Sequence, residues 1–336
     1  MNGGYLASTI GLMIRDTFRQ SRATGLFWIV LSVSLLCIGV CLSASVEGEV
    51  NLAQGGDTPE FLPRTDRDAN EKKVQGEGVA IVGGELKLGF GAMSVPLARN
   101  ARHAVHAFQL LLAAGVADTL GLLLTLVWTA GFLPSFLDRR NVAVLLAKPA
   151  PRWWLLLGKY IGVLTFVTVQ STIFVGGTWL ALAMRTGIWD AQYWLCVPVL
   201  LLHFAIFFSF SLLLAVCLRS TVVCVFGSIA FWLLCWAMNY GRHALALAAH
   251  IAPETSVSRR LTWLADVGYW LFPKPADLSL VLFDALDATQ YYHPLFDQAA
   301  LSQVGFFSLS CSIMASVLAT IYFLVASMRQ WNTADY

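Results

Sequence analysis

Charge is what this chain has least of. Only 12% of its 336 residues are Asp, Glu, Lys or Arg, while 57% are hydrophobic, and its mean hydropathy is +0.67. Soluble domains carry about 25% charged residues. So little polar surface cannot cover a water-soluble globule, which leaves the bilayer as the solvent. Twenty-two basic residues against 20 acidic ones give a net charge of +2, and no basic excess that would recruit nucleic acid. Cysteines in polar loops are also missing. Cys37, Cys41, Cys196, Cys217, Cys224, Cys235 and Cys311 all fall inside apolar runs. A disulfide framework needs them in exposed segments, so they read as buried small hydrophobes. Cys37 and Cys41 share a helix face, and His103 and His106 stand at i, i+3, but neither pair has the ligand count of a metal site. The sequence has no H-E-x-x-H, G-x-S-x-G, C-x-x-C or G-x-x-x-x-G-K-[ST]. Each of those patterns places a metal, nucleophile or phosphate against specific groups. Without the last, the chain has no nucleotide site of this kind. We expect a non-catalytic protein that binds no cofactor or metal of its own.

What is present is long apolar runs. A transmembrane helix needs about 20 mostly apolar residues, and six segments qualify: 24–45, 106–136, 155–183, 192–218, 221–240 and 303–328. The fold class expected is an all-α polytopic membrane protein of one domain. The apolar core of the first run is longer than the usual 7–15 residues of a signal peptide, so it reads as a retained span. Before it, residues 1–23 form an amphipathic segment in which Leu6, Ile10, Met13 and Phe18 alternate with Arg15, Asp16, Arg19 and Arg22. That pattern suits a helix lying in a membrane interface among lipid.

Basic residues near helix ends set orientation. Arg15, Arg19, Arg22, Arg139, Arg140, Lys148, Arg152, Lys159, Arg219 and Arg329 lie on one side, with only Asp16, Asp138 and Asp335 as acids. This side is expected to be cytoplasmic and to hold both termini, in a plasma (inner) membrane. The insertions 46–104 and 241–301 are then external. Within the first, "GVAIVGGELKLGF" (78–90) alternates on both sides of Gly83-Gly84, a hairpin signal that predicts a small β element. Within the second, "LTWLADVGYWLFPKP" and "LSLVLFDAL" are amphipathic and too interrupted to span. They read as short helices on or dipping into the outer leaflet, or packed against helix ends, with Trp263, Tyr269 and Trp270 suited to an interface.

Ionisable residues inside spans are functional candidates by default. Here they are Asp118 in the second run and His203 in the fourth. The rest of the core is nearly uncharged, which suits an apolar or amphipathic cargo, or a motor energised from outside the membrane.

The connection 137–154, between the second and third spans, is "LDRRNVAVLLAKPAPRWW". Asp138 favours a helix N-terminus. "RRNVAVLLAK" then presents an apolar face of Val142, Val144, Leu145 and Leu146, and Pro149 and Pro151 stop it. Positive-inside anchoring accounts for the Arg residues and for Trp153 and Trp154. It does not account for an apolar face turned to the cytosol, which calls for a partner.

The stretch "VLLAKPAPRWWLLLGKYIGV" (144–163) resembles the connection between spans two and three of ABC-2 type permeases, the membrane subunits of ATP-binding-cassette transporters. Leu145, Leu146, Lys148, Pro149, Arg152, Gly158 and Lys159 carry the likeness. The start "LDRRNVA" differs from the acidic-Gly-Thr-like start common in that family, Asp138 being its only acid. The likeness implies a coupling helix that docks on a separate cytosolic ATPase, which binds ATP and Mg. Asp138, Arg139, Arg140, Val142, Leu145, Leu146, Lys148, Pro149, Arg152, Gly158 and Lys159 would form the docking region. It also implies pairing with a second permease subunit, identical or not, and export for most members. A self-sufficient carrier or channel is the alternative. An intramembrane enzyme or scaffold is a further one, and an enzyme would require Asp118, His203 or the external histidines to converge on one pocket.

Overall fold

Inside a bilayer no water satisfies a backbone N–H or C=O, so an apolar run closes its hydrogen bonds within itself as a helix. A computed structural model of the chain describes residues 3–47, 84–91, 93–97, 101–137, 151–251, 259–286 and 309–333. Five of its helical stretches are long and apolar enough to cross a membrane: 105–136, 152–186, 191–218, 221–245 and 309–333. A sixth crossing arises if the bent pair formed by 8–23 and 26–42 counts as one span. The chain is a helical, multi-span membrane protein.

The elements follow in order. Helix α1 (Gly3–Ala23) bends by 74° into α2 (Leu26–Leu42). Gly25 makes that bend with φ 78°, a conformation that costs a residue with a Cβ. Strands β1 (Ser45–Glu47), β2 (Gly84–Leu88) and β3 (Met93–Leu97) form an antiparallel sheet in that order. Helix α3 (Ala101–Leu110) continues into a π-helical segment (Leu111–Gly121), then α4 (Leu122–Ala130) and the short α5 (Phe132–Phe136). Helix α6 (Arg152–Thr186) leads through a 3₁₀ turn (Ala191–Leu195) to α7 (Cys196–Leu218). Helices α8 (Thr221–Ile251), α9 (Arg259–Leu271), α10 (Pro275–Ala285) and α11 (Leu309–Thr333) complete the chain.

Several expected boundaries move. The first run, expected as 24–45, is helical only over Leu26–Leu42, about 26 Å at 1.5 Å per residue. The fifth, expected to stop at 240, stays helical to Ile251. The sixth, expected to end at 328, stays helical to Thr333, and 303–308 lie outside the described residues. The hairpin turns at Gly89–Gly91, not at Gly83-Gly84. Gly89, Phe90 and Gly91 all have positive φ there, and Leu88 pairs with Met93. Residues 78–83 lie outside the described residues. Two cysteines depart from the expected burial, Cys217 and Cys311 being exposed.

Helix α7 is the axis of the bundle. Of its apolar stretch 67% is buried, against 17% for α11, and it packs against α4, α6, α8 and α11. Phe204, Phe207, Phe208 and Leu212 fill its surroundings, and Tyr160 of α6 stacks on Phe208. At one end of the bundle, α1 lies along α6. The buried face of α1 is Thr9, Met13, Thr17 and Ser21, an i, i+4 series along one helix face. Small residues let the two backbones approach. A Cβ on Gly162 would stand 2.8 Å from Thr17 Oγ1 and 3.1 Å from the Met13 carbonyl oxygen. A Cβ on Gly158 would meet only the flexible Met13 side chain, at 3.2 Å.

A buried charge completes this contact. Lys159 Nζ donates to Gln20 Oε1 at 2.8 Å and to Asp16 Oδ2 at 3.1 Å. It also lies 5.8 Å from the centre of the Phe136 ring. From the other side, Trp331 Nε1 of α11 donates to the Arg152 carbonyl at 3.2 Å. The first turns of α6 are therefore fastened to α1 and to α11.

The two glycines give opposite expectations. Gly158→Ala gains helix propensity of about 1 kcal/mol against a yielding methionine, and should leave stability unchanged or slightly raised. Gly162→Ala forces backbone apart and should cost about 1–3 kcal/mol before that gain is subtracted. Thermal unfolding of the purified protein in detergent checks the order; a Gly162 variant as stable as the Gly158 variant would mean that α1 is not seated on α6 as described.

Candidate functional site

The two intramembrane candidates meet. Asp118 lies in the π segment, and π turns recur at functional sites because they re-aim the side chains they carry. His203 lies two turns into α7. Its Nδ1 hydrogen-bonds Asp118 Oδ1, and its Nε2 bonds the Pro275 carbonyl oxygen at 3.0 Å. Ser279 Oγ donates to Asp118 Oδ2 at 3.1 Å. Both ring nitrogens face oxygen acceptors. That is satisfied when the ring carries both N–H groups, or when the Asp118 carboxyl supplies the second proton. Three elements (the π segment, α7 and α10) are joined by one carboxylate and one imidazole.

A second cluster holds the N-terminus of α10. Asp277 is fully buried. Its Oδ1 bonds His243 Nε2 of α8 at 2.7 Å, and its Oδ2 accepts from Tyr269 Oη of α9 at 2.7 Å and from Ser312 Oγ of α11 at 2.5 Å. With its amide turned to suit its neighbours, Asn239 Nδ2 donates to Asp277 Oδ1 at 3.0 Å. Its oxygen accepts from the Ala276 and Asp277 N–H groups at 3.2 Å, occupying donors that a helix start leaves free. Burial pushes the Asp277 carboxyl upward, but the hydrogen bonds and charge of His243 with the Ser312 and Tyr269 hydroxyls outweigh it and hold it below the usual value. Lys274 is buried beside this cluster. Its Nζ lies 4.5 Å from the ring centres of Tyr269 and Trp270, and burial lowers its pKa. Its backbone N–H donates to Ser316 Oγ of α11 at 3.2 Å. Arg242 Nε pairs with Asp266 at 3.0 Å, its guanidinium 4.0 Å from the Tyr269 ring centre.

These bonds settle how "LSLVLFDAL" sits. It packs inside the bundle, not on it: Leu278, Leu282 and Leu286 are buried, and α10 touches α7, α8, α11 and the π segment. Helix α9 differs, leaving Leu261, Trp263, Leu264, Val267 and Trp270 exposed, an apolar face suited to lipid.

Asp277, His243, Ser312 and Ser279 were not singled out in the sequence, and Tyr269, expected at a membrane interface, is instead buried. A signal existed: an acid two residues after Pro275 marks a helix first turn, and Leu278, Leu282 and Leu286 follow at i, i+4, i+8 as a buried stripe. The core is also less neutral than composition suggested, with Asp118, Lys159, His203, His243, Lys274 and Asp277 all buried.

Of the docking region, Arg152, Gly158 and Lys159 lie among the described residues. Residues 138–150, which carry Asp138, Arg139, Arg140, Val142, Leu145, Leu146, Lys148 and Pro149, lie outside the described residues. Arg152 opens α6. Gly158 and Lys159 lie beneath α1, with Lys159 1% exposed, so neither offers a surface to a soluble partner. His106 pairs with Asp190 at 3.2 Å. Among the described residues no three metal-ligating side chains come together. Ser279 bonds Asp118 and the Pro275 carbonyl. No protein-family model matches the chain, and no curated protein matches it in sequence.

Asp277→Ala would strand four donors, those of His243, Tyr269, Ser312 and Asn239, each costing about 1–3 kcal/mol when buried unpaired. Hydrogen exchange across 275–285 should therefore accelerate by at least a hundredfold. Because the folded-state pKa is depressed, the contribution of Asp277 is complete above the unfolded carboxylate value of about 3.9 and is lost only as pH falls through the depressed value. Acid-induced exposure of α10 should accordingly begin below that unfolded value in the native chain. In the variant α10 should be open across the whole range.

Proposed function

We propose that this chain is the membrane-spanning permease subunit of an ABC-2 type ATP-binding-cassette transporter, an exporter driven by a separate cytosolic ATPase. The observation that carries the reading is the stretch 144–163 together with the way its exit is built in. Pro151 feeds directly into α6, a 35-residue helix about 52 Å long. Lys159 ties its first turns to α1, and Trp331 ties them to α11. A displacement of residues 138–150 is passed to three helices together, as a coupling helix requires. In this reading both termini and residues 138–150 face the cytoplasm, the sheet and α9 lie outside, and a second permease subunit completes the path. The ATP and Mg sites belong to the ATPase.

A second reading is an ion-coupled carrier that needs no ATPase. The buried pairs Asp118–His203 and Asp277–His243 favour it, since carboxylate–imidazole chains serve proton relays.

Co-purification with mass spectrometry decides between them. An ATPase should accompany the native chain, and the chain stripped of it should hydrolyse no ATP. Burying one leucine is worth roughly 1.5–3 kcal/mol. Leu145→Asp should therefore weaken ATPase retention by about tenfold or more while insertion stays normal. Arg139→Gln with Arg140→Gln should act more mildly and make retention less salt-sensitive. Normal retention by Leu145→Asp, with misinsertion of the double arginine variant, would reduce the connection to a membrane anchor. Ion-driven uptake by liposomes holding the chain alone would establish the carrier instead.

A further inference from the structure

The turn of the β2–β3 hairpin carries a side chain that packs on almost nothing. Phe90 is 85% exposed and has φ 56°, between Gly89 and Gly91 at φ 65° and 94°. Glycine adopts that backbone freely, whereas a residue with a Cβ is strained in it. Phe90 therefore brings strain to the turn and buries little within the chain. What its ring contributes depends on what lies outside the chain.

One hydrogen bond places the turn. The Gly89 N–H donates to Ser43 Oγ at 2.9 Å, and Ser43 is the residue that closes α2. Strand β1 leaves from the same place, with Ser45 opposite Lys87 and Glu47 opposite Glu85. The strands therefore run away from α2, and the turn points back at its end. The 17 residues of α2 span about 26 Å, while the hydrocarbon core is about 30 Å thick. At its other end the 74° bend lays α1 across the direction of the span. With that bend at one face of the bilayer, α2 stops short of the opposite face, and any tilt shortens its reach further. Residues level with Ser43 then stand at the margin of the hydrocarbon, where an exposed ring meets lipid. The surroundings agree. Val40 and Leu42 are exposed on α2. Arg185 Nε donates to the Ala44 carbonyl at 3.2 Å, which brings the end of α6 to the same level. There Met184, Trp189 and Trp194 are exposed, and tryptophans collect at the membrane–water boundary.

We propose that Phe90 anchors the sheet to the bilayer. The hairpin turns its tip toward the membrane, and the Phe90 ring occupies the boundary between headgroups and acyl chains. A neutral ring has no preference for headgroup charge, so the partner is the bilayer itself and not one lipid species. The anchor requires only that the chain spans a membrane, and it stands under either reading of the transport.

The test is the depth of position 90 in the full-length chain in nanodiscs. The exposed cysteines, Cys217 and Cys311, are replaced by serine, and Phe90→Cys carries a nitrobenzoxadiazole fluorophore. Glu85→Cys, about 13 Å further along the strand, carries the same fluorophore as the reference. A nitroxide on the lipid acyl chain next to the headgroup should quench position 90 several-fold more than position 85. Aqueous iodide should give the reverse order. Equal iodide quenching at the two positions would overturn the proposal. So would a position 90 shielded from both quenchers, because protein, a second copy or another chain, would then cover it. Two unlabelled variants test the anchoring. Phe90→Leu and Phe90→Ser share the strained backbone and differ in apolar surface. Hydrogen exchange across 84–97 should stay near the native rate in Phe90→Leu and rise several-fold in Phe90→Ser. Equal exchange in the two would show that the ring holds nothing, and would overturn the proposal.

Discussion

A polar group that enters this bundle has to be answered from within it. Lipid offers helices no hydrophobic reason to prefer one another, so apolar contact alone leaves their arrangement loosely chosen. The buried polar groups choose it. Lys159 of α6 meets Asp16 and Gln20 of α1, His203 of α7 meets Asp118 of the π segment, and Asp277 of α10 meets His243 of α8. Every one of these bonds joins two elements distant in sequence. Each is satisfied only when the helices stand in one relative position.

The bonds also divide the molecule. At one end the start of α6 is bound to α1 and α11. At the other end α10 is bolted between α7, α8 and the π segment by the two histidine–aspartate pairs. Helix α7, aromatic and buried, runs between the two ends. The proposed coupling motion enters at the first end, while the polar chemistry and the one re-spaced stretch of span two lie toward the second.

Hydropathy made the spans legible because lipid forces an apolar run into a helix, and 192–218 was read almost to the residue. The amphipathic leader was legible as a helix. Its packing was not: the face that seats on α6 is Thr9, Met13, Thr17 and Ser21, and small polar residues look like a solvent face in sequence. Asp118 and His203 stood out as ionisable residues in apolar runs, but nothing local says that residues 85 positions apart will bond. The Gly83-Gly84 pair drew the hairpin to the wrong place because Gly89-Phe90-Gly91 relies on a non-glycine with φ 56°, which propensity disfavours. Lys159 looked like part of a basic surface. Only the long-range seating of α1 reveals it as an interior residue.

The π segment has a meaning for how this span tolerates change in length. In an α-helix each residue advances the chain by about 100°, so losing one rotates everything beyond it. A π turn closes its hydrogen bond one residue further on and holds a residue surplus to the α repeat. Over Leu111–Gly121 the chain therefore stores slack. Deleting a single residue there would let a turn tighten to α and leave both flanks in phase, whereas the same deletion in α6 would turn Lys159 away from α1 or Pro151 away from the connection. Among the described residues, span two is the crossing whose length can drift by a residue without changing which side chains face the core.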